Sequence, residues 1–172
     1  YTGEFENHVW DKMFRLSIIK ENNIQFGDLK EITGEDTFFE ITMLPYCQKA
    51  IFLQDKLYHY YIRENSIMTS YNPDKMKKTI KFIEKVNEFQ IDRGLKGEYN
   101  CFLATYLYNL AVASSREAIK HRNYQKLKVD ITYMVENEIV QKYARRLKEQ
   151  ETLNLFQSTL KRKFAKKLSK WI

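Results

Sequence analysis

The sequence predicts an α+β chain that is mostly α. Three observations carry that expectation. Glycine (5) and proline (2) are scarce among 172 residues, which argues against a turn-rich sandwich or a flexible linker. From Tyr71 onward apolar residues recur at helical spacing. Before it, segments are short and mixed, and two of them alternate in the period of strands.

Val9 to Lys20 reads as a helix, with Trp10, Met13, Phe14, Ser17 and Ile18 near one face. Thr33-Gly34-Glu35-Asp36 matches the pattern of a hydroxyl cap followed by acids, and opens a helix running to Met43. Ala50 to Leu53 and Leu57 to Arg63 read as strands separated by a polar turn. In the second, Leu57, His59, Tyr61 and Arg63 share one face. Asn72-Pro73-Asp74 then starts a helix that carries Met76, Ile80, Ile83, Val86 and Phe89 and ends near Gly94. A second long helix, about Tyr99 to Lys120, is apolar on most of its surface and is expected to be buried. A third spans about Tyr124 to Leu147 and a fourth about Leu153 to Trp171.

Charge divides the chain more sharply than its net of +7 suggests. Residues 1–140 hold 19 Lys+Arg against 20 Asp+Glu, and residues 141–172 hold 10 against 2. A near-neutral body with a basic tail does not fit a domain that wraps nucleic acid, and the glycine-aromatic signature of an RNA-binding sheet is absent. No nucleic-acid partner is expected. In the tail, Leu153, Phe156, Leu160, Phe164, Leu168 and Trp171 form one helical stripe among six lysines and arginines. Residues 153–172 either lie on an anionic membrane surface or pack their stripe on the preceding helices. Two cysteines, Cys47 and Cys101, exclude a disulfide scaffold and fit a reducing compartment, each as a small buried apolar residue.

The Glu35-Asp36 pair has two compatible readings. It favours a helix N-terminus electrostatically. It also provides a rigidly aimed carboxylate able to take a proton from a hydroxyl.

An ordered series surrounds this pair. Val9-Trp10-Asp11-Lys12-Met13-Phe14-Arg15 is followed by Glu21-Asn22-Asn23-Ile24-Gln25-Phe26, then Gly34-Glu35-Asp36-Thr37-Phe38-Phe39 and Lys49-Ala50-Ile51-Phe52-Leu53. Last comes Leu57-Tyr58-His59-Tyr60-Tyr61-Ile62-Arg63-Glu64-Asn65-Ser66-Ile67-Met68. Over about residues 5–70 this series resembles the C-terminal half of the catalytic domain of bacterial family-two glycosyltransferases with the GT-A fold. The resemblance implies two parts: residues 1–70 as the acceptor side of a GT-A catalytic domain, and residues 71–172 as a helical extension.

It further implies that Asp36 is the general base of an inverting sugar transfer, with Glu35 orienting it or binding the acceptor. The donor is a nucleotide-diphosphate sugar, and the acceptor a sugar or lipid-linked hydroxyl in cell-surface polysaccharide or glycolipid synthesis. Trp10 and Lys12 are candidates for the acceptor pocket, Trp10 being alternatively a core anchor of its helix. His59 and Arg63 are candidates near the donor phosphates, or else members of a surface strand. Ser66 either caps its loop or touches phosphate. A divalent cation, magnesium or manganese, is expected in the full-length enzyme. The family's D-x-D metal motif has no counterpart here, since no Asp-x-Asp triplet occurs in the sequence. The chain therefore reads as a C-terminal fragment that lacks donor affinity and turnover by itself. A cytoplasmic location goes with this resemblance, and the membrane alternative for residues 153–172 would make the protein peripheral on the inner face of the membrane. The reading from another class is a helical membrane-surface or protein-interaction module without catalysis.

Overall fold

A computed structural model describes residues 8–53, 55, 57–59, 61, 72–156 and 159–171, with backbone alone at 159, 160 and 171. Among these residues the chain is mostly helical. The elements are α1 (Leu16–Glu21), α2 (Glu35–Met43) with a 3-10 turn (Leu44–Tyr46), α3 (Lys75–Asp92), α4 (Asn100–Lys120), α5 (Tyr124–Glu136), α6 (Glu138–Arg146), α7 (Gln150–Asn154) and α8 (Thr159–Trp171).

The centre of the bundle is α4, which packs against α3, α5, α6 and α7. Its sequence explains the placement: Leu103, Ala104, Leu107, Tyr108, Leu110, Ala111 and Ala118 are all buried and, at about 3.6 residues per turn, lie on one broad face, so the helix is not apolar all round as its composition suggested. The flanking helices are amphipathic. From α3, Met76, Ile80, Ile83 and Val86 face inward, and from α6 come Val140, Tyr143 and Ala144. Phe82 of α3 is fully buried, which alone stabilises the fold by about 1.5–3 kcal/mol.

Polar groups fix the register between α3 and α6. Asn87 Oδ1 accepts from Lys142 Nζ at 2.6 Å and from the Tyr143 hydroxyl at 2.7 Å. Gln90 Nε2 donates to Tyr143 at 2.9 Å and to Asn100 Oδ1 at 3.2 Å. Burial pushes the Tyr143 phenol up to about 12, so it stays a neutral donor.

A second, smaller cluster lies on the N-terminal side. Ile24, Phe39 and Met43 form it, with Val9, Phe14, Ile18, Ile19 and Tyr46 against them. Helix α2 joins the two clusters. Its Phe39 and Met43 point into the smaller one, while Ile41 and Phe38 belong to the main core, which also takes in Ile32. The Tyr99 hydroxyl donates to the Ile41 carbonyl at 2.9 Å, and Lys78 Nζ donates to the Leu29 carbonyl at 2.7 Å.

Several expectations are corrected. The helix expected over Val9–Lys20 is reduced to α1. The side chains of Asp11 and Lys12 bond within residues 8–12, including a Lys12 Nζ bond to the His8 carbonyl, and so compete with helical hydrogen bonding. No strand forms at 50–53 or among the described residues of 57–61. Ile51, Phe52, Leu53, Leu57 and Tyr61 are exposed, and with no neighbouring strand the alternation has no ladder to join. The helix expected over Tyr124–Leu147 is two, because Asn137 adopts an extended conformation and its side chain caps α6 by accepting from Val140 N at 3.1 Å. The tail likewise divides into α7 and α8. Cys47 is exposed and Cys101 half-buried, so neither is a core residue.

Candidate functional site

The acid pair lies in the first turn of α2, both residues half-buried. The cap differs from the expected one. Gly34 precedes the helix in a left-handed conformation, φ 79°, and no side chain caps it. Thr33 turns away, and its Oγ1 lies 2.8 Å from Thr79 Oγ1 of α3. A Cβ at residue 34 would sit 2.7 Å from the Tyr106 hydroxyl, so both the backbone angle and the space require glycine. Tyr106 reaches this turn from α4, with its ring 4.6 Å from Phe82 and 5.5 Å from Phe102. Burial pushes its phenol up to about 12, although a hydrogen bond with Thr33 opposes the shift; the charge of Glu35 adds to it. The turn that aims Glu35 and Asp36 is thus held from behind by α3 and α4.

Lys12 comes to the same helix. Its Nζ lies 3.1 Å from Glu40 Oε1, one turn after Asp36, and 3.1 Å from Asp11 Oδ1. Glu40 is buried, and burial raises its carboxyl above the ordinary 4.5 even though Lys12 works in the opposite direction. The two groups form an ion pair in which both side chains are largely enclosed. Burial also acts upward on Asp11, but the hydrogen bonds and charges of Lys12 and His8 outweigh it, and its carboxyl lies below the usual 3.8.

Trp10 is 37% exposed and is not a core anchor. Its ring stacks on His8 at 3.7 Å and meets Tyr58 at 4.4 Å. This draws the segment at 57–59 to the Trp10 loop, and His59, beside Tyr58, is exposed. Arg63 and Ser66 lie outside the described residues. The loop at 8–12 therefore meets two of the other expected pieces: α2 through Glu40, and the segment at 57–59 through Tyr58. Glu40 was not singled out from the sequence. Its signal is the spacing of four from Asp36, which places both carboxylates on one face of α2.

Among the described residues no three His, Cys, Asp or Glu side chains cluster in a way that could hold a metal ion. The first turn of α2 offers a half-buried carboxylate, and the next turn holds Glu40 against a lysine from the loop that carries the exposed Trp10. That set suits proton abstraction from a hydroxyl seated against an indole face.

The sequence comparisons give one informative result. A protein of Bacillus subtilis (strain 168), named "Putative glycosyltransferase EpsH", is 24% identical over 110 residues, which are 62% of this chain and 31% of that protein. The match thus spans about a third of that protein's length. No family model matches the chain. No solved structure matches it.

Proposed function

We propose that this chain carries the acceptor side and the general base of a glycosyltransferase. At the coarse level of a transferase, the likeness to the Bacillus protein supports the reading. The observation that carries it further is the fixed placement of Asp36 in the first turn of α2, behind a left-handed Gly34 and the Tyr106 hydroxyl. In this reading the acceptor hydroxyl rests against Trp10, and Asp36 removes its proton as the oxygen attacks the anomeric carbon of the donor. The bond to the nucleotide diphosphate breaks as the new glycosidic bond forms, with inversion. Glu35 orients the acceptor. The donor, a nucleotide-diphosphate sugar, and the ligands of a divalent ion are held mainly by other parts of the full-length protein. The GT-A fold, the second glycosyltransferase family, polysaccharide synthesis and a cytoplasmic site of action belong to the same proposal and rest on the motif resemblance.

The test is Asp36→Asn in the full-length protein. A positioned base contributes about 10²–10⁴-fold, so transfer should fall by at least the lower figure while the melting temperature stays put. Unchanged transfer in a folded Asp36→Asn protein would instead favour an interaction module without chemistry.

A further inference from the structure

A cleft away from the acid pair lies where the start of α3, the end of α4 and the start of α5 converge. It encloses about 270 Å³, just below the ~300–1,000 Å³ usual for sites of drug-sized ligands. That suits one small ring rather than a nucleotide. We propose that this cleft is a second ligand site, taking a single neutral sugar residue.

The chemistry of the walls selects the class. Lys75, Glu117, Lys126 and Asp130 line the cleft, so its formal charges cancel. Lys126 is moreover committed to Asp130, with both carboxylate oxygens 2.8 Å from its Nζ. An anion would meet two carboxylates and a cation two ammonium groups. A neutral polyol meets donors and acceptors in alternation, which its hydroxyls can match because each both donates and accepts. Met76, 2% exposed, and Ala118 supply an apolar floor for the C–H face of a ring.

The observation that points to an occupant is Ser114. This residue is only 9% exposed and lines the cleft, and its hydroxyl makes no hydrogen bond with any described residue. Its hydroxyl is open to the cleft rather than sealed in the core, so a ligand hydroxyl can reach it and bond there. None of these residues belongs to the acid-pair site, so the inference goes beyond sugar transfer and stands independently of it.

The experiment is a titration of the isotopically labelled 172-residue chain, followed by amide NMR, with glucose, galactose and N-acetylglucosamine as probes and inorganic phosphate as the anion control. The expected result is a saturable shift for at least one sugar, centred on the amides of Lys75, Ser114 and Glu117. Ser114→Ala and Glu117→Gln should each weaken it by about tenfold, with the remaining spectrum unchanged. Asp36→Asn should leave it intact, which separates this site from the transfer reading. Three outcomes overturn the proposal: no saturable shift with any of the sugars, a stronger response to phosphate, or sugar binding that neither cleft variant weakens.

Discussion

At residue 34 the chain needs a left-handed backbone and has no room for a side chain, and both demands arise from the turn that aims Asp36. Gly34→Ala should cost about 1–3 kcal/mol from backbone strain and from displacing the Tyr106 hydroxyl. For a chain of this size each kcal/mol lowers the melting temperature by about 2–4 °C. Tyr106→Phe removes the obstructing oxygen, so the double variant should be more stable than the sum of the two single losses predicts. Strict additivity in that cycle would show that the hydroxyl does not press on residue 34. Glu40 gives a second residue-scale expectation. Because burial raises its carboxyl above the unfolded value, its contribution is greatest below the unfolded pKa and is lost as pH rises through the folded one. Glu40→Gln should therefore be neutral or stabilising at pH 7 relative to the native chain, with the advantage vanishing as pH falls below the ordinary carboxyl range. Denaturant melts at several pH values check the sign, and a loss of stability at pH 7 that disappears in acid would reverse it.

At the scale of elements, α8 decides what the basic tail can touch. Ala165 is fully buried and Leu168 packs on the main core, so this part of the apolar stripe is taken up by the bundle. Phe164 meets Tyr108 edge-on at 5.9 Å while remaining partly exposed. The lysines at 161, 163, 166, 167 and 170 are exposed. Contact with an anionic membrane would thus be electrostatic, through the lysine face, without insertion of the stripe. Deleting residues 153–172 is a poor test of it, because Leu153 and Phe156 belong to the core and their loss should unfold the bundle. Changing Lys163, Lys166, Lys167 and Lys170 to Glu is the better one. The melting temperature should hold, and low-salt sedimentation with phosphatidylserine vesicles should disappear; vesicle binding that survives both the charge reversal and high salt would point to insertion instead. No described helix is long and apolar enough to cross a membrane.

At the scale of the whole molecule, the α3 and α4 helices were legible because their apolar spacing is strong and long, and packing confirmed what periodicity suggested. The breaks were not. Asn137 ends one helix and caps the next, a local decision made by one amide side chain within an otherwise continuous helical pattern. The 50–53 and 57–61 runs have strand periodicity, but a strand also needs a ladder, and none of the described residues provides one. At the candidate site the acid pair was legible from its position at a helix start. The Tyr106 contact was not, since a tyrosine 70 residues downstream carries no mark of the turn it abuts. Glu40 is hidden for a related reason: its ion-pair partner, Lys12, comes from a loop where a helix was expected. One expectation belongs to this scale alone. The 172-residue chain offered nucleotide sugars and simple acceptors should show no transfer, as checked by release of nucleoside diphosphate; measurable turnover would show that the donor site is built from these residues.

Because α2 is shared between the two apolar clusters, the acid pair cannot be inherited without the helices behind it. A crossover between residues 47 and 72 that joined this N-terminal stretch to a foreign bundle would strand Thr33 without Thr79 and Gly34 without Tyr106. Chimeras intended to exchange specificity should therefore keep α2, α3 and α4 from one parent, and place their seams after Lys120.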